Sequence, residues 1–236
     1  MHVAAVIVAA GSGTRFGGDG PKQFIELGGK PVFLWSVDVF RHHPHIEQVI
    51  VSAPPDMVQE LQASLAVAHC EVGATCLVVG GGNTRQESVF NGLSALAQSN
   101  PPPTHVMVHD AARPFVTRER LDRVLEQLEK TDACTVAIPA SDTVKRVVDG
   151  SIVETLKREE LHLMQTPQAA RFELLYRAHQ DARAKQVNTT DDAAILEAAG
   201  IPVPVVLGSR FNIKITEKED LLLSQAIATI IGGSHL

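Results

Sequence analysis

The chain has 236 residues, 44% of them hydrophobic, 20% charged and 4% aromatic, with 21 Lys and Arg against 27 Asp and Glu for a formal net charge of −6. That composition belongs to a globular protein with enough chain to bury a core, and it excludes a disordered tail. The acidic balance excludes a general attraction to nucleic acid or to an anionic membrane surface, so any anionic ligand must meet cations gathered locally.

In chain order, short apolar runs alternate with stretches of helical periodicity. VAAVIVAA (3–10), QVIVSA (48–53), TCLVVG (75–80), THVMVHD (104–110) and CTVAIPA (134–140) read as strands. Their continuous apolar character, in place of in-out alternation, predicts burial on both faces, as in a parallel sheet. Amphipathic segments at Phe33–Phe40, Met57–Val67, Gln86–Ala97 and Arg118–Glu129 fill the connections, each long enough for a right-handed crossover. The predicted fold is therefore α/β, a Rossmann-like doubly wound, mostly parallel sheet. After Pro139 the rhythm breaks. DTVKRVVDGSIVETLKREELHLMQTP (142–167) alternates about Asp149-Gly150, which predicts a β-arm over residues 140–166 projecting from a single domain, 1–236. Helices are expected again at Arg171–Ala184 and Asp191–Ala199, a strand at Val203–Leu207, and a closing helix at Glu217–Ile231.

Three cysteines, Cys70, Cys76 and Cys134, are odd in number and form no CxxC pair, which argues against a disulfide scaffold or a structural zinc site. Val3–Ala10, the longest apolar run, has eight residues, far fewer than the roughly 20 that span a bilayer. It leads into a glycine loop where a signal peptide would have a cleavage site, so a cytoplasmic protein with no membrane partner is expected. His42, His43 and His45 read as a solvated loop, because no neighbouring carboxylate supports metal ligation. His109 and Cys134 read as structural.

The first strand runs into AAGSGTRFGGDGPKQF (9–24), at the end where open α/β sheets bind their ligands. Asp19 after Gly18 excludes a Walker A loop, and Phe16 occupies the third glycine position of a dinucleotide fingerprint. The glycines free backbone N–H groups to face an anion, while Arg15 and Lys22 add positive charge. A Gly-x-Gly also serves as a plain strand-to-helix connection, so the loop alone leaves both readings open.

GSGTRF followed by PKQF resembles the signature loop of the nucleotidyltransferases that join an NTP to a sugar or polyol phosphate. Downstream, GGGNTRQESV (80–89), HDAARP (109–114), DTVKR (142–146), TPQ (166–168), TDD (190–192) and NIKIT (212–216) stand in the order seen in the IspD family, the 2-C-methyl-D-erythritol 4-phosphate cytidylyltransferases of isoprenoid synthesis. The resemblance covers nearly the whole chain. It implies cytidylyl transfer from CTP to methylerythritol phosphate, Mg²⁺ or another divalent cation as cofactor, and a homodimer built through the arm. It further implies that Ala9, Ala10, Gly11 and Gly13 cradle the CTP phosphates, with Arg15 and Lys22 as catalytic cations. Gly82, Asn83 and Ser88 would contact the cytosine; Asp110, as metal ligand, and Ala111 would lie near ribose and phosphate; Lys214 would return from the C-terminal part of the chain to the phosphates. Thr143, Arg158, Arg113 and Thr190 fall to the polyol phosphate, with Thr143 and Arg158 reaching the partner subunit's site. Some members of the family carry an acidic residue where Asn83 stands, a departure of little weight if backbone atoms read the base.

The chemistry gives these residue types a physical reason. One anionic phosphate must attack another, and a terminal phosphomonoester alone carries roughly −1.5 to −2 charges at neutral pH. Positioning and charge neutralisation are then the main tasks. Arg15 offers a bidentate fork to phosphate oxygens and Lys22 a compact point charge. The attacking phosphate is already a nucleophile, so no general base is required. Asp110 ends a strand and supplies a hard oxygen suited to Mg²⁺, with a helix cap or a partner for Arg113 as its structural alternatives. The rival readings are the same transfer to ribitol 5-phosphate, a nicotinamide-dependent reductase, and a non-catalytic nucleotide-binding regulator. The reductase requires an acid at the end of the second strand, where Ser52 and Ala53 stand.

Overall fold

Strand β1 (Val3–Val8) is apolar on both faces, and the computed structural model, which describes residues 1–11, 24–68 and 73–233, buries it inside a seven-stranded sheet. Gly13, Arg15, Lys22 and Cys70 lie outside the described residues. The chain continues through a small antiparallel pair, β2 (Glu26–Leu27) and β3 (Lys30–Pro31), to α1 (Val32–Arg41), β4 (Ile46–Ala53), α2 (Val58–Ala68), β5 (Thr75–Gly80), α3 (Arg85–Leu96), β6 (His105–Asp110), α4 (Arg118–Leu128) and β7 (Ala133–Pro139). Then come the arm strands β8 (Lys145–Val148) and β9 (Ser151–Thr155), followed by β10 (His162–Arg171), α5 (Phe172–Ala184), α6 (Asp192–Ala198), β11 (Val205–Leu207) and α7 (Lys218–Gly233).

The sheet order is β11-β7-β10-β6-β1-β4-β5, with β10 antiparallel to both neighbours and the other pairings parallel. Alternate residues of β1 point to opposite layers, as the pleat requires. Val3, Ala5 and Ile7 pack with Phe33, Phe40, Leu65, Leu121 and Val124 from α1, α2 and α4, while Ala4 and Val6 pack with Val89, Leu93, Leu96 and Leu175 from α3 and α5. Leu93 is fully buried, a burial worth roughly 1.5–3 kcal/mol. Two covered faces make the sheet doubly wound, as the apolar runs predict.

Two expectations need correction. The arm hairpin turns at Asp149 (φ 49°) and Gly150 (φ 77°), both in the left-handed region that a two-residue turn of this hand requires. The arm nevertheless ends early: His162–Thr166 belongs to β10, which enters the main sheet between β6 and β7. Its buried polar side chains are satisfied across the fold, with Gln165 donating to the Ser209 carbonyl and Gln168 to Asp191 Oδ2. The second correction is His43, which is buried at 2% exposure with Nε2 3.0 Å from Asp122 Oδ1, although His42 and His45 are exposed as expected. Among the described residues, no helix is long and apolar enough to cross a membrane.

Candidate active site

Parallel pairing levels the carboxyl ends of the central strands. Val8 stands opposite both Ser52 and Asp110, and Ala53 opposite Gly80. Backbone bonds carry the ladder one residue further: Ala9 N–H donates to Ser52 O at 2.7 Å, Ala111 N–H to Val8 O at 3.0 Å, and Gly81 N–H to Ala53 O at 2.7 Å. Residues 9–11 therefore leave the sheet between Asp110 and the Gly80–Asn83 loop. The two loops touch so closely that a Cβ on Gly81 would stand 2.2 Å from the Ala10 Cβ, which requires glycine there.

The Gly80–Asn83 loop is shaped by the first turns of α3. Thr84 caps that helix, its Oγ1 accepting from Glu87 N–H at 3.1 Å. Glu87 Oε2 accepts from Asn83 N–H at 2.7 Å, and Asn91 Nδ2 donates to the Gly80 carbonyl at 2.9 Å. Ser88 is buried, its hydroxyl accepting from Gly82 N–H at 3.1 Å and donating to the Thr84 carbonyl at 2.8 Å. Ser88 thus acts on the loop backbone, while Gly82 and Asn83 are the residues on its accessible side.

Beside this loop opens a cavity of about 210 Å³ lined in part by Arg85, Asp110, Arg113, Gln168, Thr190 and Lys214. Asp110 lies at its inner wall, 7% exposed, taking Arg85 Nε on Oδ1 at 2.9 Å and Lys214 Nζ on Oδ2 at 2.6 Å. Burial alone would raise its pKa, but the charges of Arg85 and Lys214 outweigh burial and hold the carboxyl well below the usual carboxylate range. Lys214 reaches this point because the 212–216 segment is bound to the loop after β6, with Ile215 N–H on the Ala112 carbonyl at 2.8 Å. Arg113, the alternative partner of Asp110, instead donates its Nη groups to the carbonyls of Asn212 and Met164. Thr190 is held at the rim by Gln86, which bonds the backbone of Val187 and Thr189.

His109 is structural, as expected. Its Nε2 donates to the Arg113 carbonyl at 3.0 Å, and its Nδ1 accepts from Thr166 Oγ1 at 2.9 Å. Complete burial lowers its pKa to about 4 and keeps the ring neutral. Cys134 is buried, its thiol pushed up to about 12 by burial alone. Thr143 and Arg158 stay on the arm, outside the cavity lining of their own chain; Arg158 donates to the Ser141 carbonyl at 3.3 Å. Sequence reasoning missed Arg85 and Asp192 altogether, although Arg85 bridges Asp110 and the 1%-exposed Asp192.

The segments that meet at these strand ends are shared with known proteins. The sequence model described as 2-C-methyl-D-erythritol 4-phosphate cytidylyltransferase matches residues 3–230. A curated protein of that name from Halalkalibacterium halodurans is 43% identical over 227 residues, covering 96% of this chain and 97% of the relative. Among solved structures, 2-C-methyl-D-erythritol 4-phosphate cytidylyltransferase from Thermus thermophilus superposes with a TM-score of 0.78 at 34% identity, covering 97% of this chain and 100% of that one. The 4-diphosphocytidyl-2C-methyl-D-erythritol synthase of Anaerococcus prevotii gives 0.83 at 28% identity, over 97% and 96% of the two chains. With the GGGNTRQESV, HDAARP, TPQ, TDD and NIKIT segments each lending a residue to one cavity and the likeness running over residues 3–230, this chain belongs to the IspD family of 2-C-methyl-D-erythritol 4-phosphate cytidylyltransferases.

Proposed function

We propose that the chain transfers the cytidylyl group of CTP to 2-C-methyl-D-erythritol 4-phosphate, with release of pyrophosphate. The observation that carries this reading is the convergence of residues 9–11, the Gly80–Asn83 loop, Asp110, Thr190 and Lys214 on the carboxyl ends of β1, β5 and β6. A phosphate oxygen of the polyol attacks the α-phosphorus of CTP; the new P–O bond forms as the bond to the departing pyrophosphate breaks. The backbone of residues 9–11, with Gly13, Arg15 and Lys22 beyond it, receives the triphosphate. The Gly82–Asn83 loop meets the base through its carbonyls, since its N–H groups are taken by Ser88 and Glu87, and Arg113 with Thr190 faces the polyol phosphate from the cavity wall.

Asp110 offers a hard oxygen donor to a divalent cation: it is a buried carboxylate on the cavity wall, with Oδ2 held only by the half-exposed, flexible Lys214. That donor set suits Mg²⁺, which takes few protein ligands and keeps its waters and substrate phosphates. When bound, the ion neutralises charge on the triphosphate.

The arm supports the homodimer. Val147, Val148, Ile152 and Val153 are 54, 46, 67 and 50% exposed on a two-stranded ribbon, and a lone ribbon of this kind is marginal in water without something to pack on. A second arm is the natural cover, and it brings Thr143 and Arg158 to the partner subunit's cavity. The free thiols of Cys76 and Cys134 suit the cytoplasm.

The test is pyrophosphate release with CTP and a panel of polyol phosphates. Turnover on methylerythritol phosphate is expected, and turnover on ribitol 5-phosphate with none on methylerythritol phosphate would refute the reading.

A further inference from the structure

Behind Asp110 runs a line of alternating charges. Lys214 and Arg85 hold the two oxygens of Asp110; Arg85 Nη1 donates to Asp192 Oδ2 at 2.8 Å; and His179 Nε2 donates to Asp192 Oδ1 at 2.9 Å. Asp192 and His179 are 1% and 0% exposed. Asp192 is fixed in turn by Gln168, whose Oε1 accepts from the N–H groups of Asp192 and Ala193 at 2.8 and 2.9 Å. Two cations, Lys214 and Arg85, thus face two carboxylates, Asp110 and Asp192, and one of these carboxylates lies at the nucleotide site itself. The reaction as described above uses neither Arg85, Asp192 nor His179.

The two cations on Asp110 are held differently. The Arg85 side chain is 22% exposed and spans two carboxylates with separate nitrogens of one planar group, so it cannot leave Asp110 without also straining its bond to Asp192. The Lys214 side chain is 35% exposed and carries a single point charge on a flexible stem. An arriving cation and triphosphate would draw Lys214 from the carboxylate toward the phosphates, whereas Arg85 would stay.

We propose that Arg85 is a positioning residue: pinned from behind by Asp192 and His179, it fixes the Asp110 carboxylate through Oδ1 and reserves Oδ2, where Lys214 sits, for the cation that accompanies CTP. The inference rests on the reading of Asp110 as the cation-binding carboxylate. Groups that orient a metal-binding side chain in this way are worth about 10- to 100-fold in metal affinity or activity.

The probe is Mn²⁺ with CTP, followed by the electron paramagnetic resonance signal of free Mn²⁺, on wild type, Asp110→Asn, Arg85→Lys and Asp192→Asn. Lysine keeps the positive charge of Arg85 but cannot bridge both carboxylates. Asparagine keeps the shape of Asp192 but loses the charge that pins Arg85, and it carries the test if Arg85→Lys fails to fold. Both variants are expected to bind Mn²⁺ in the presence of CTP about tenfold or more weakly. Their kcat is expected to fall, with the KM for methylerythritol phosphate within about twofold of wild type. Folded variants with wild-type Mn²⁺ affinity would overturn the proposal. Asp110→Asn separates the two claims: if it weakens Mn²⁺ binding while Arg85→Lys and Asp192→Asn do not, the positioning role fails alone. If Asp110→Asn leaves Mn²⁺ binding unchanged, the reading of Asp110 fails and the positioning role falls with it.

Discussion

Replacing Asp110 by asparagine removes one negative charge from the inner wall of the cavity and leaves its shape. The carboxylate accepts two charge-assisted hydrogen bonds, from Arg85 at 2.9 Å and from Lys214 at 2.6 Å. A bond to a charged group contributes roughly 1.5–3 kcal/mol net. The Lys214 end, 35% exposed, is screened by solvent and falls below that range. Arg85 keeps Asp192 in the variant, so no buried cation is orphaned, and the cost stays under the roughly 3–5 kcal/mol of a broken buried pair. The expected loss is about 2–3 kcal/mol, read as a fall of about 1 M in the urea midpoint. The sign with pH follows from the depressed carboxyl: the wild-type advantage is fully present above the ordinary value of 3.8 and is lost as pH falls through the lower native value. The same variant should demand more Mg²⁺ for half-maximal turnover. Unchanged stability at neutral pH together with an unchanged Mg²⁺ requirement would refute the reasoning.

Mixing Lys22→Ala with Arg158→Ala subunits, each expected to lose about 10²-fold or more in turnover alone, should restore part of the activity through one intact composite site. A confirmed mixed dimer without recovery would count against arm exchange. His109, buried and neutral with its pKa lowered to about 4 from 6.5, binds its proton in the unfolded chain before the folded one. Stability therefore falls as pH drops from about 6.5 toward 4, by up to roughly 3 kcal/mol. A proton NMR titration of the His109 ring checks it, and a pKa of 6 or above would contradict the buried geometry.

The central strands were legible because local sequence already carries their environment: an unbroken apolar run such as residues 3–8 has few options except a strand covered twice. The arm turn was legible for the same reason, since Asp149-Gly150 supplies both left-handed residues locally. β10 was not. HLMQTPQAAR holds a proline and no β-branched run, and its burial depends on partners distant in the chain, with Gln165 bonded to Ser209 and Asn212 donating to the Thr166 carbonyl. Pro167 sits where β10 loses register with β7. His43 was hidden because its partner, Asp122, is 79 positions away. Within the site, the motifs named Asp110 and Lys214 without showing that they touch. Arg85 fell just outside the expected helix at Gln86–Ala97, and its partners, 25 and 107 positions distant, come together through the sheet order.

The most direct measurement follows the oxygen that joins the two substrates. With methylerythritol phosphate carrying ¹⁸O on its phosphate, ³¹P NMR of the products should show all of the label in the cytidine diphosphate ester, including the bridging oxygen, and none in pyrophosphate. Label in pyrophosphate, or CMP in place of pyrophosphate as the leaving product, would contradict attack of the polyol phosphate on the α-phosphorus of CTP.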